Sequence, residues 1–424
     1  MKILFAHQNF PGQFKHICRV LAAQRRHQVV FLTKANANNI PGIQKIIYTP
    51  ARPTTPHIHH YIGEYENGVL HGQAVVREAM KLRQGGFVPD VMIGHNGWGE
   101  TLFLKDVFPE APLLSYFEFF YRAQGADVGF DPEYPTSLDD LFRVRAKNSV
   151  NLLGMDAADW GLSPTEWQRS RYPDFFQPRI SVVHEGVDTD TLVPKKVRHV
   201  HLPDGRALGA DAEIITYVSR NLEPYRGFHV FMRALPEILR RRPKAEVLIV
   251  GGDEVSYGRR LPAGESYRQR LLAEVTIDPA RVHFLGRVPY DVFVSVLQAS
   301  AVHVYLTYPF VLSWSMLEAM SCGCLVVGSA TPPVQEAIRD RENGLLVDFF
   351  STAAIADRID EVLDHPDRMQ ALRDAARRTV IERYDLRRLC LPRFAQLIDR
   401  LVAGGRPDIA APAPGSALAE IPPG

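Results

Sequence analysis

Two clusters in the C-terminal half carry residue types whose spacing suits an anion and a ribose. Arg220-Asn221-Leu222-Glu223-Pro224-Tyr225-Arg226-Gly227-Phe228 follows an apolar run that ends at Ser219 and leads into a helical pattern. Guanidinium groups bind phosphate oxygens through paired donors and do not lose their charge, so two of them bracketing a tight loop suit a departing diphosphate. The same pair also reads as surface arginines of a loop. The second cluster, Thr307 to Gly323, follows the run Val302 to Leu306. Ser313 or Ser315 there can cap a helix that includes Trp314, turning its first amides toward an anion. Glu318, about a turn further in, can accept two hydrogen bonds from ribose hydroxyls. In the alternative, Glu318 is an exposed helix residue and Trp314 and Met316 are core packing.

The N-terminal half offers a third group. His95, with Asn96, Gly97, Trp98, Gly99 and Glu100, follows the run Val91 to Gly94 and sits where a ligand meets the carboxyl end of a strand. A histidine after a strand serves ordinary hydrogen bonding equally well. The aromatic, glycine-punctuated stretch from Tyr116 to Pro132 is expected to line an acceptor side or else to form a covering loop. His57, His59 and His60 lack the partners of a metal site. Cys18, Cys322, Cys324 and Cys390 show neither metal nor disulfide spacing, and Cys322 and Cys324 are expected to pack as small buried groups.

Positioning such residues takes parallel sheets. Short apolar runs at Lys2 to His7, Val29 to Leu32, Val91 to Gly94, Leu113 to Phe117 and Ile180 to His184 alternate with helical stretches. A second series runs through Ile214 to Ser219, Val247 to Gly251, Val282 to Leu285, Val302 to Leu306 and Leu325 to Gly328. Alternation of this kind predicts an α/β fold with two doubly wound parallel sheets. Asp188 to Gly209, charged and carrying Pro194 and Pro203, reads as a connector between them. A last helical pattern spans Leu386 to Leu401, and the Ala/Pro-rich stretch after it lacks the bulky residues of a core. The expected division is 1–187, 188–384, a helix over 385–403 that crosses back to the first domain, and a disordered tail over 404–424.

Bulk properties bound the function. A chain of 424 residues with 46% hydrophobic and 23% charged residues can bury two cores. With 49 Lys plus Arg against 48 Asp plus Glu, the net charge of +1 provides no general attraction to nucleic acid or to anionic membranes. No run approaches the ~20 apolar residues of a membrane span. The expectation is a cytoplasmic protein with at most peripheral contact at the inner face of a membrane. Neither half has a Gly-x-Gly-x-x-Gly turn after its first strand, which argues against a dehydrogenase.

These residues together resemble the retaining GT-B glycosyltransferases of family 4, the glycosyl transferase group 1 superfamily. The resemblance rests on Ser219-Arg220 followed by Arg226-Gly227, on Phe284-Leu285-Gly286, on Leu317-Glu318-Ala319-Met320 with Cys322-Gly323, and on Asn343-Gly344-Leu345-Leu346-Val347. Asn9-Phe10-Pro11-Gly12-Gln13-Phe14 and Glu185-Gly186-Val187-Asp188 are similar to the family's bacterial polysaccharide branch. The resemblance implies two Rossmann-like domains facing a cleft and a nucleotide diphosphate sugar as donor, with Gly12, Arg220, Arg226, Ser313, Trp314, Ser315 and Glu318 on the donor side. It also implies retention without a bound metal or other cofactor, and an acceptor that is a glycan, a lipid-linked glycan or a small molecule.

Two positions depart from the family pattern. Phe310 stands where the family commonly has a sugar-binding Glu, and Glu118 stands where the fifth strand usually leads to a His that touches the donor sugar. Glu118 thereby becomes the expected sugar or acceptor contact and a catalytic candidate beside Arg220 and Arg226, with His95, Asn96, Trp98 and Tyr116 around it. Two rival readings keep the fold: a GT-B sugar-nucleotide epimerase, and a nucleotide-sugar-binding protein without catalysis.

Overall fold

The computed structural model describes residues 1–195, 199–202, 205–209 and 212–407. The chain divides into two compact units, one made of Met1–Gly186 and the chain from Leu386 on, the other of Val187–Asp385.

The first unit is built on seven parallel strands: β1 (Lys2–Ala6), β2 (Gln28–Thr33), β3 (Ile43–Ile47), β4 (Val91–His95), β5 (Leu113–Tyr116), β6 (Trp160–Ser163) and β7 (Ile180–Val182). They lie in the order β3-β2-β1-β4-β5-β6-β7, with Ile3 opposite Val29 on one side and Val91 on the other. Side chains alternate between faces along a strand. Ile3 and Phe5 therefore enter one core with Phe14, Ile17 and Leu21, while Leu4 and Ala6 enter a second with Ala74, Val75 and Ala79 of the helix Gly63–Gln84. Both faces are covered, which explains why the central strands read as continuous apolar runs.

The first of these cores is closed by the end of the chain. Leu391, Phe394, Leu397, Ile398 and Leu401 recur at three- and four-residue spacing and bury against Ile3, Phe5 and Val29. The expected single helix over Leu386 to Leu401 is divided: Leu386–Cys390 forms a π-helical turn and Leu391–Val402 the α-helix, with Pro392 in its first turn, where a missing N–H is tolerated. Gly186 has φ +93°, and a Cβ there would stand 2.7 Å from the Leu386 Cα, so this close passage requires glycine. The sequence expected to form a disordered tail is described only as far as Pro407, and the rest lies outside the described residues.

The second unit contains a hairpin of β8 (His199–His201) and β9 (Ala207–Gly209), followed by six parallel strands: β10 (Glu213–Asn221), β11 (Ala245–Gly252), β12 (Val282–Gly286), β13 (Val302–Tyr305), β14 (Val326–Ser329) and β15 (Leu345–Val347). Their order, β12-β11-β10-β13-β14-β15, repeats the winding of the first sheet. The hairpin corrects the reading of Asp188 to Gly209 as a connector. Leu192, Val200, Leu202 and Leu208 are buried in this unit's core, an alternation concealed by the polar residues interleaved with it.

Leu397 has no exposed surface. Leu397→Ala is expected to lower the stability of the first unit by about 2–5 kcal/mol, the cost of a cavity in a packed core, read from urea unfolding. A loss below about 0.5 kcal/mol, the range of surface substitutions, would show that the terminal helix is not part of that core.

Candidate functional site

In the first unit, residues from the ends of β1, β4 and β5 converge. His7 follows β1, and its Nδ1 accepts the Asn9 N–H at 2.8 Å. That bond leaves Nε2 as the protonated nitrogen, and it donates to Gln13 Oε1 at 2.7 Å. The Gln13 amide in turn donates to Glu118 Oε1 at 2.9 Å. Burial and the nearby His95 push the His7 pKa down to about 3, against the opposing effects of Gln13, Glu118 and Asn9. Gly12 has φ +54°, and a Cβ there would lie 2.5 Å from the His7 ring, so glycine is what allows the loop to lie on the imidazole.

The other oxygen of Glu118 lies 3.5 Å from His95 Nε2, an ion-pair distance. His95 is buried; its Nδ1 accepts the Gly97 N–H at 3.0 Å, and its Nε2 makes no hydrogen bond among the described residues. Trp98 stacks on the same ring with centroids 3.9 Å apart. Burial favours protonation of Glu118, but His95, Gln13 and His7 outweigh it and hold the carboxyl below its ordinary range. The result is an oriented carboxylate at the wall of a cavity of about 110 Å³, lined also by Trp98, Phe119, Tyr121 and Lys147.

Two of the expected pocket residues lie elsewhere. Asn96 turns inward, donates to Asn151 Oδ1 at 3.0 Å, and occupies the space beside Gly154 that a Cβ would need. Tyr116 is buried in the core with its hydroxyl donated to Glu185. Asn96 leaves the end of β4 in a short 3-10 turn that directs it onto Asn151, and Tyr116, the last residue of β5, packs against Phe14 and His95. His7 and Gln13 were not among the expected site residues. Their only signal was a polar pair flanking the glycine loop after the first strand.

In the second unit Arg220 and Arg226 take different environments. β10 runs past Ser219, and its pairing to β11 shifts between Val218 and Asn221, an irregularity that re-aims a side chain. Arg220, at that shift, is exposed and makes no hydrogen bond or ion pair among the described residues. Arg226 is buried. Its Nη1 donates to Thr307 Oγ1 at 2.8 Å, to the Val311 carbonyl at 2.9 Å and to the Tyr305 hydroxyl at 3.3 Å. Its guanidinium lies 5.3 Å from the centre of the Tyr257 ring. Glu223, fully buried and not expected from the sequence, accepts the N–H groups of Ser256, Tyr257 and Gly258 at 3.0, 3.1 and 2.8 Å. It thereby fixes the loop that follows β11.

Phe310 is buried against Tyr225 and Tyr257, with centroids 5.5 and 5.1 Å away. Ser313 occupies the cap position of the helix Trp314–Ser321, but its side chain makes no cap hydrogen bond and pairs with Ser315 Oγ at 3.0 Å. Trp314 is 44% exposed rather than packed in the core, whereas Met316 is buried. Glu318, on the same helix, accepts the Tyr290 hydroxyl at 2.8 Å. An open cavity of about 480 Å³ lies beyond the end of β11, lined by Gly252, Asp253, Glu254, Ser266 and Arg287. Arg287 donates to Asn221 Oδ1 at 3.0 Å, which brings this cavity next to the end of β10.

Among the described residues no group of three or more His, Cys, Asp or Glu is placed to hold a metal ion. His60 instead pairs with Asp139 at 2.9 Å, and His59 stacks on His60. Among the same residues no helix is long and apolar enough to cross a membrane.

The depressed His7 value gives a pH dependence of stability. Between its ordinary 6.5 and about 3, the unfolded chain binds a proton that the folded chain refuses, so stability falls as pH falls through that window. Glu118, held low, loses its contribution only at more acidic pH. Between pH 7 and pH 5, His7→Gln is expected to lessen the acid loss of stability by about 2 kcal/mol, measured by urea unfolding at each pH. Parallel wild-type and variant profiles would show that His7 is not held neutral.

Comparison with known proteins follows the same division of the chain. A family model described as "Glycosyl transferase family 4 group" matches residues 25–192, and one described as "Glycosyl transferases group 1" matches residues 205–379. A GDP-mannose-dependent alpha-(1-6)-phosphatidylinositol monomannoside mannosyltransferase from Mycolicibacterium smegmatis is 26% identical over 57% of this chain and 62% of its own length. The match thus spans less than two thirds of that relative. The fold resembles sucrose-phosphate synthase from Thermosynechococcus elongatus at TM-score 0.70 and 18% identity, covering 96% of this chain and all of the other. It also resembles Anabaena Alr3699/HepE, solved in complex with UDP, at TM-score 0.63 and 15% identity, covering 95% and 99%. With consecutive matches to both family models over two Rossmann-like parallel sheets, the chain belongs to the GT-B glycosyl transferases of the family 4, group 1 type.

Proposed function

We propose that this protein transfers a sugar from a nucleotide diphosphate donor to an acceptor hydroxyl, with retention and without a metal ion, in the synthesis of a glycan or glycoconjugate. The observation that carries this reading is Arg220, an exposed cation without an ion-pair partner among the described residues, placed by the irregularity in β10 at the carboxyl end of a parallel sheet. Ligands of such sheets bind at that end. Family membership and the UDP complex of a structural neighbour support a nucleotide diphosphate as the ligand.

The two arginines divide the work. Arg226, fixed by Thr307, Val311 and Tyr305, is a preorganised positive charge that needs little reorganisation as charge builds on the leaving diphosphate. Arg220 provides the free guanidinium edge that can take two phosphate oxygens at once. Glu318 is assigned to the ribose hydroxyls, exchanging its bond from Tyr290 for one from the ligand. The cavity of about 480 Å³ at the end of β11 offers room for the nucleoside. In the first unit Glu118, ionised and aimed by Gln13, is assigned to receive and orient the acceptor hydroxyl.

The test is a thermal-shift screen of the purified chain against UDP, GDP, ADP, dTDP and CDP and their common sugars, since a ligand of the native state raises its melting temperature. One nucleotide diphosphate is expected to do so. Arg220→Ala should weaken that binding by roughly 10- to 100-fold, as expected for the loss of a charge-assisted contact, and should leave the stability of the free protein within about 0.5 kcal/mol. A screen without any shift, or an Arg220→Ala variant that binds as the wild type does, would overturn the donor assignment.

A further inference from the structure

The cavity beside Glu118 has a charge balance that selects among acceptors. On one side Lys147 reaches in from the helix Leu138–Lys147; its ammonium lies 3.3 Å from Glu64 Oε2 and 4.0 Å from the centre of the Tyr121 ring. On the other side stand Glu118 and His95, whose Nδ1 accepts the Gly97 N–H, with Trp98 stacked on the imidazole. Among the residues that line the cavity, the carboxylates of Glu64 and Glu118 share the walls with His95 and with one ammonium, Lys147, already paired with Glu64. Asp127 adds a further negative charge acting on Tyr121.

We infer that this cavity takes the ring of an uncharged polyol, a pyranose or cyclitol without a phosphate, as the acceptor; the inference rests on the glycosyl-transfer reading above. Ionised carboxylates accept hydrogen bonds and cannot donate them. Glu64 and Glu118 therefore need a ligand rich in O–H donors, which a polyol supplies and a phosphate dianion lacks. The buried His95 Nε2–H, without a hydrogen-bond partner among the described residues, supplies the complementary donor for a hydroxyl oxygen. Trp98 and Tyr121 offer apolar surface for the C–H face of a ring. At roughly 10–15 Å³ for each water-sized occupant, the enclosed volume holds most of one ring and leaves the remainder at the mouth. A phosphate placed here would face Glu64 and Glu118 at close range, and Lys147, the lysine of the lining, would first have to leave Glu64.

The test is binding of small probes to the full-length protein by ligand-observed NMR titration: D-glucose against D-glucose 6-phosphate, and myo-inositol against its monophosphate. At least one neutral probe is expected to bind, and its phosphorylated counterpart to bind about tenfold more weakly or worse, as like charges at short range dictate. Trp98→Ala and Glu118→Gln should each weaken the neutral probe. Glu64→Gln, which frees Lys147, should narrow the gap between the members of a pair. Phosphorylated probes that bind as well as the neutral ones, or the absence of binding by all four, would overturn the inference. The nucleotide-diphosphate thermal shift, measured on the same preparations, reports on the donor assignment separately, so that the two failures are distinguishable.

Discussion

A parallel strand covered by helices on both faces has no surface left at which a polar side chain can meet a ligand. In both sheets of this protein the central strands are almost wholly buried, and β1, β4, β11 and β13 are mostly apolar on both faces, with Lys2, His95, Glu246 and His303 as the exceptions. Chemistry is thereby forced to the strand ends, where the chain leaves the sheet and its next residues are released from packing. His7, His95 and Glu118 lie just beyond or at the ends of β1, β4 and β5, and Arg220 lies near the end of β10. The candidate groups are confined to the rims because the cores admit them nowhere else.

The two units manage charge in opposite ways. In the second, a cation is buried and satisfied by neutral acceptors: Arg226 meets two hydroxyls and a carbonyl. An opposing carboxylate would cancel its field, whereas hydroxyl and carbonyl dipoles satisfy its donors and leave net positive charge for an anion. Glu223, the buried carboxylate closest in sequence, is occupied by three backbone N–H groups. In the first unit, a carboxylate is kept ionised against burial by His95, Gln13 and His7. His7 remains neutral because burial and His95 disfavour its charge, and Gln13 links its ring to Glu118.

Much of the framework was legible because it is encoded locally. A run of four to six apolar residues before a Gly- or Pro-containing loop, followed by a helical period, indicates strand, loop and helix whatever the surroundings. β1, β4, β5, β10, β11 and β13 were all found that way. β3 and β6 escaped because Gln44 and Lys45 break the first run and Gly161 dilutes the second. The hairpin β8–β9 escaped because each of its three-residue strands carries a single large apolar residue, Val200 or Leu208.

The sequence by itself determined the two α/β series, the closeness of Arg220 and Arg226 along the chain after one strand and the placing of Glu318 one turn into a helix, since each depends on residues within a few positions of one another. Tertiary structure alone decided which of the nominated residues face a cavity. Gln13 and Glu118 are 105 positions apart and meet because β1 and β5 are held in one sheet with β4 between them. Asn96 and Tyr116, close in sequence to His95 and Glu118, are held instead by Asn151 and Glu185, partners far along the chain. Lys147 found Glu64 only because two helices pack against the same unit. A local pattern specifies what an element is, but the order and register of strands far apart in the chain fix what its side chains touch, and no short stretch of sequence contains that order.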